Sequence, residues 1–281
     1  MRLQRAIDRY PIESRDRDMV RFVNDLRASA FGHLSVSLLS LGLLDAASQV
    51  AVNAVEEARG TSQPIILCIA LAWEAGLVFL SLGDLAMAER YGEELVEYSD
   101  KHALRPFHAV GLCVRGSLAA RRGDPQGGLE PLRRGLAEMQ RASYLLFYPF
   151  FRVELAAALG ATGRVDEGLA ETDAALRVAA ETGYHWFVPE LLRVKSELLA
   201  RRGLGERAEA EDLFRRSMSL AGKQQALYWE LAAAISLAEL LRGQGRDVEA
   251  RAVLAPVYDR FTEGFSAAKM ERAKWLLGLA G

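Results

Sequence analysis

The sequence predicts an all-α chain folded as an α-solenoid of stacked helical hairpins, and three observations predict it. Ala (44) and Leu (43) make up almost a third of the 281 residues, whereas Val, Ile and Thr together number 29. That bias favours helix, because β-branched side chains lose χ1 freedom against the preceding turn. Glycines recur at Gly42, Gly83, Gly123, Gly163, Gly203 and Gly245, with spacings of 41, 40, 40, 40 and 42. Seven residues before each stands a small residue (Ser35, Gly76, Gly116, Ala156, Ser196, Ala238), and five after stands another (Ala47, Ala88, Gly128, Gly168, Ala208, Ala250). A fixed period of this length marks stacked supersecondary units.

Close approach of helices explains the pattern. A glycine with positive φ ends one helix, and a polar residue such as Asp84 or Asp124 starts the next. The two small residues then fall opposite each other across the turn, where only side chains of Ala size let the backbones cross tightly. In the fifth unit a two-residue shift, placing Ala210 in the second slot, fits the following helix better.

The elements follow in order. Residues 3–10 place Leu3, Ala6, Ile7 and Tyr10 on one face before Pro11, so 1–18 reads as a leading segment ending a preceding helix. First helices are expected at 19–41, 64–82, 106–122, 147–162, 187–202 and 226–243. Second helices are expected at 44–59, 84–102, 125–144, 165–182, 206–221 and 246–262, with a terminal helix at 268–279. Pro64, Pro106, Pro149 and Pro189 fall near first-helix starts, where a missing N–H costs little. The repeat domain 19–281 divides into units 19–63, 64–105, 106–146, 147–186, 187–225 and 226–267, then a capping helix 268–281.

Composition narrows the function. Lys+Arg number 35 against 37 Asp+Glu, a formal net charge of -2, so no strongly basic surface for nucleic acid dominates. Cys68 and Cys113 are too few for a disulfide framework and lie in apolar helical stretches, where they read as small buried hydrophobes. The charged N-terminus carries no signal-peptide core, and Glu74 interrupts the longest apolar run, 65–80; a cytoplasmic chain with no membrane partner is the expectation. His33, His102, His108 and His185 form no metal motif, and there is no G-x-S-x-G elbow or phosphate-binding loop. No catalytic residue, metal or cofactor is predicted.

Two sets of residues are candidates for binding. On the first helices, which line the concave side of such stacks, Glu74, Arg115, Glu154 and Lys195 lie eight or nine residues before their turn glycines, with alternating sign. Arg152, Arg193 and Glu197 lie within one turn of them, and Trp73 adds a stacking surface. This strip reads either as an ion-pair ladder between units or as a surface for a peptide or small ligand. Phe107, Phe147 and Phe187 recur at 40-residue spacing, joined by Tyr148, Trp186 and Trp229. They read either as staples holding helix starts to the preceding loops or as an aromatic rim for a ligand.

The small–Gly–small spacing resembles the tetratricopeptide repeat, here with longer helices; HEAT and armadillo repeats, of similar length, lack this glycine turn. That resemblance implies a right-handed solenoid. It does not imply a clamp for C-terminal carboxylates, because the inner positions include Trp73, Leu77, Cys113, Ser117, Val153 and Ala157, which cannot grip two carboxylates.

Three stretches are similar to the C-terminal repeat region of bacterial multidomain signalling ATPases: Arg21 to Arg27, the run ALYWELAAAISLAELLRGQGR over 226–246, and AVLAPVYDRFTEGF over 252–265. Ser266-Ala267 departs from the family pattern, which favours an acidic and a hydroxyl residue there. The resemblance implies a sensor or interaction region of a transcriptional or cyclase-linked regulator. Its ATPase and DNA-binding domains would lie upstream, and its partner would be a protein, a peptide or a small-molecule inducer. The alternative is a free-standing scaffold for complex assembly.

Overall fold

The computed structural model describes residues 2–10, 26–61, 63–183 and 185–279. They are helical throughout, with no strand among the described residues. The leading helix α1 is Arg2–Arg9. Six pairs follow: α2 Leu26–Leu41 and α3 Leu44–Arg59; α4 Pro64–Leu82 and α5 Leu85–Lys101; α6 Arg105–Arg121 and α7 Pro125–Arg141. Then come α8 Tyr148–Ala161 and α9 Val165–Thr182; α10 Val188–Arg202 and α11 Arg207–Lys223; α12 Leu227–Arg242 and α13 Asp247–Tyr258. The capping helix α14 is Ala268–Leu276. The expected start of the first helix, residues 19–25, and most of the Arg21 to Arg27 stretch lie outside the described residues.

The glycine turns follow the sequence with one exception. Gly42, Gly83, Gly123, Gly163 and Gly245 have φ of 85, 79, 97, 80 and 76°. Asp84 and Asp124 cap the next helices by accepting from Met87 N (3.0 Å) and Gly127 N (2.8 Å). Gly203 is extended instead, with φ 165°. A 3-10 turn, Leu204–Glu206, lengthens that connection, so Ala210 rather than Ala208 is buried in the second slot. Whereas Gly60 after α3 is right-handed, with φ −68°, a second recurring turn leads from α5, α7, α9 and α11 to the next unit. Ala103, Ser143, Gly183 and Gln225 occupy the left-handed region there, with φ of 55, 53, 72 and 57°. Only one of the four is glycine, which hid this turn in the sequence.

The small-residue rule describes real crossings. A Cβ at Gly116 would lie 2.7 Å from Gly128 O, and one at Gly128 would lie 2.5 Å from Gly116 O, so α6 and α7 touch backbone to backbone. Gly168 meets Ala156 O at 2.9 Å in the next unit. Gly76 breaks the rule. It lies in a π-helical segment, Glu74–Phe79, whose wider turn shifts the register. Its Cβ would face Val110 and Phe151 of later units, both at 3.5 Å, rather than its own partner helix.

That segment also holds the most unusual core group. Glu74 is fully buried, accepts from Ser35 Oγ at 3.3 Å through one carboxylate oxygen, and leaves the other without a partner. Burial drives its pKa well above the ordinary carboxylate range, against a smaller lowering by Ser35. The surrounding helix has a mean hydropathy of 2.3, enough by length and composition to cross a bilayer. Of that window 88% is buried within the solenoid, as befits a core helix.

The stack curls until its ends meet. α12 packs on α2. Glu263 accepts from Ala46 N at 2.9 Å, and Asp45 accepts from Gly264 N at 3.0 Å. A Cβ at Gly42 would lie 2.9 Å from both Leu227 and Phe261. Across the interior, Tyr228 donates its hydroxyl to Ser81 O, and Arg121 donates to Leu80 O at 2.6 Å. The sixth hairpin therefore closes against the first two.

Two outcomes follow from these contacts. Gly116→Ala, which forces two backbones apart, should cost about 1–3 kcal/mol. Gly183→Ala, which has open space but a left-handed backbone, should cost about 1–2 kcal/mol, and Gly205→Ala, with neither constraint, should leave urea midpoints unchanged. Equal losses at all three would contradict the crossing. For Glu74, a folded pKa raised above the unfolded one means stability is fullest below the ordinary carboxylate range and declines as pH rises toward the raised value. Glu74→Gln should remove a slope of about 1.4 kcal/mol per pH unit in that window and be the more stable protein at neutral pH. Identical pH profiles of unfolding would rule this out.

Candidate functional site

Ten, nine and six residues before three of the turn glycines, the first helices present one continuous stripe. It consists of Val153, Glu154 and Ala157 on α8, Arg193, Val194 and Glu197 on α10, and Ile235, Ser236 and Glu239 on α12. All nine line a single groove of about 430 Å³, with the C-terminal end of α6 on one side and α14 on the other. Spacings of one and three to four residues put these positions on one helix face.

The groove is polar and internally neutralised. Arg121 meets Glu154 through two bonds of 2.6 and 3.0 Å. Arg193 forks onto Glu190, both bonds 2.7 Å, and also contacts Glu197, which accepts from Ser236 Oγ at 2.7 Å. Arg272 meets Glu239 at 2.6 Å, and Lys269 donates to Tyr228 Oη at 3.0 Å. Four cations thus face four carboxylates. Glu190 is only 7% exposed. Burial pushes its carboxyl up, yet Arg193, Lys269 and Arg121 together hold it below the ordinary value, so it stays ionised. Arg193 loses by desolvation and gains more from Glu190 and Glu197, so its charge is fixed. Such pairs bind tightly to each other while still offering hydrogen-bonding edges to an occupant.

The structure divides the charged strip expected from the sequence. Glu154, Arg193 and Glu197 line the groove. Arg115 reaches away to Glu93 on α5 at 2.6 Å, and Lys195 reaches Asp173 on α9 at 2.6 Å. Arg152 bonds Glu171 on α9 at 2.7 Å and lies over the Tyr148 ring. The reason is angular. Glu74 and Glu154 stand nine residues before their glycines but Arg115 and Lys195 stand eight, and one residue turns a helix by about 100°. Equal depth therefore did not mean a shared face, and Glu74, although nine back, is buried in the core. Arg121, Glu190, Ser236, Glu239, Lys269 and Arg272 were missed. Counting by face rather than by depth finds Ser236 and Glu239, and also Lys269 and Arg272, which stand nine and six residues before the left-handed Gly278 on the capping helix that packs on α12.

The recurring aromatics form an interior plug. Phe147, Phe187 and Trp229 are 0, 2 and 3% exposed, with Phe151 and Tyr228 beside them, also buried. Phe187 meets Trp229 edge-on at 5.2 Å, and Phe147 meets Trp73 at 5.3 Å. Phe107 is buried against Tyr144 at 5.5 Å. These four are packing groups, so they cannot form an open rim. Tyr148 and Trp186 remain half-buried.

Beyond the plug lies a second cavity, of about 460 Å³, at the helix starts. The order along each helix shows the separation: Leu146, Trp186 and Gln225 line this cavity, and Val153, Glu190 and Ala232 line the groove. The plug residues fall between them in sequence. Among the described residues no three His, Cys, Asp or Glu side chains are placed to hold a metal ion. Cys68 and Cys113 are free and buried, and burial lifts the Cys68 thiol to about 12.

Among solved structures, the chain is similar to the crystal structure of a Rap protein complexed with competence and sporulation factor. The TM-score is 0.61 at 11% sequence identity, and the match covers 99% of this chain and 82% of that one. No protein-family model matches the sequence, nor does any curated protein. At that identity the likeness is one of fold alone, an all-helical, tetratricopeptide-like solenoid.

Proposed function

We propose that this chain is a recognition module that holds a segment of a protein or peptide partner in the polar groove and performs no chemistry on it. The observation that carries the reading is the groove itself, where nine positions of one helical stripe converge with α14 on a neutral lattice of paired charges. A polyanion gains nothing from such a balanced surface, whereas a polypeptide can match its donors and acceptors in turn. The similar Rap structure holds a separate factor, which supports an occupied state for a fold of this kind.

The resemblance of 226–246 and 252–265 supports a place for the module in a bacterial regulator, cytoplasmic, with ATPase and DNA-binding domains upstream. Winged-helix and ATPase coding sequence ahead of residue 1 in the gene is the direct check. In that setting the groove is the input and the closed stack the element it biases. Lys269 lines the groove and bonds the Tyr228 hydroxyl, which in turn bonds Ser81 O across the closure. An occupant that engages Lys269 would change the balance between closed and open stacks, provided its affinity for the two differs.

The test is selection of binding peptides from a random display library, followed by titration against Ala157→Trp. Ala157 is exposed on the groove wall, so the indole fills the groove without disturbing the core. Affinity should drop at least tenfold while the unfolding temperature stays constant. Full affinity in this variant would remove the groove as the recognition surface.

A further inference from the structure

The second cavity differs from the groove in carrying no carboxylate, ammonium or guanidinium group. Val36, Trp73, Leu77, Leu146 and Trp186 build its walls, and no Asp, Glu, Lys or Arg lines it. Its volume of about 460 Å³ suits a small organic molecule. With no charge in the lining, an ionic ligand would lose its hydration without a counter-charge, so an uncharged ligand is selected.

Beside the hydroxyls of Ser37 and Ser40 and the amide of Gln225, two groups offer acceptors to an occupant: Gln224 and His33. Gln224 donates its amide N–H to His185 O at 2.9 Å, which tells its nitrogen from its oxygen, and its Oε1 is buried without a partner. Its last torsion is soft, so a small rotation turns that oxygen to the cavity it lines. His33 holds Ser29 O at 2.6 Å through Nδ1, which must therefore carry the proton, and Nε2 is left as an acceptor in the neutral ring. The same ring lies against Trp73 with centroids 4.9 Å apart, at the mouth of the apolar space. A buried acceptor without a partner is costly, and a ligand donor removes that cost.

We propose that this cavity is a binding site for an uncharged aromatic small molecule carrying a hydroxyl or N–H donor, with the ring between Trp73 and Trp186 and the donor toward Gln224 and His33. The site is formed by the first two units together with the residues just before α8, α10 and α12, so it is complete only when the stack is closed. Occupation therefore favours the closed state. This site is independent of the polar groove, and either can fail while the other stands.

The probe is 1-naphthol, set against 1-methoxynaphthalene, which lacks the donor, and 1-naphthoate, which is charged. Calorimetric titration of the full chain should show 1-naphthol binding at least tenfold tighter than either, with slower amide exchange at the Asp45–Gly264 contact. Ser37→Trp, which fills the mouth from an exposed position, should abolish binding; Leu41→Trp is the second filling variant should the first fail to fold. Gln224→Leu should bring 1-naphthol and 1-methoxynaphthalene within threefold of each other. Undetectable 1-naphthol binding at millimolar concentration, equal binding of all three probes, or binding that survives both filling variants would each overturn the proposal.

Discussion

The contact on which everything else depends is the one between the sixth hairpin and the first two. A hairpin cannot cover its own apolar face, and stacking covers all but the inner stripe. Here that stripe carries Phe147, Phe151, Phe187, Tyr228 and Trp229, and a side chain such as Phe gains about 1.5–3 kcal/mol when taken fully out of water. Curling the stack brings these rings together on the axis, and the hydrogen bonds of Asp45, Glu263 and Tyr228 finish the seam. An open solenoid with the same sequence would expose that surface. Closure thus follows from the aromatics that recur at helix starts.

The cavities are consequences of the same act. Where the plug fills the axis, it leaves unfilled space on either side, and sequence decides its character. Toward the helix C-termini the stripe carries Glu154, Arg193, Glu197 and Glu239, and α14 supplies the matching Lys269 and Arg272. On the other side the walls are Trp73 and Leu77 of α4, with Leu146 and Trp186 just before α8 and α10. One chain therefore carries a groove lined by paired charges and a cavity without them, separated by a packed layer. Movement at the plug is the physical route by which the two could sense each other.

Much of this was legible in the sequence, and the division between what was and was not is physical. Turn glycines and the small residues beside them answer to local sterics, so Gly116, Gly128 and Gly168 announced their crossings. Gly203 did not, because an inserted 3-10 turn relieved it of its left-handed duty. Gly76 did not either, because a π-helical turn leaves no compositional mark. The charged strip was half legible: Glu154, Arg193 and Glu197 were found, whereas Arg115, Arg152 and Lys195 lay one helical step off the face. Lys269 and Arg272 keep the same offsets, nine and six residues before Gly278, but that glycine follows Gly245 by 33 residues and so lay outside the forty-residue series.

The most direct test of closure is a proximity cross-link. In Ala46→Cys/Glu263→Cys the two thiols stand on either side of the seam that Glu263 now spans to reach Ala46 N, and the native Cys68 and Cys113 are too buried to compete. A short bismaleimide should link them within one folded chain and leave the hydrodynamic radius unchanged. A pair that stays unlinked, in a protein whose scattering profile is that of an extended superhelix, would contradict the closed stack and with it the cavity that the first two units complete.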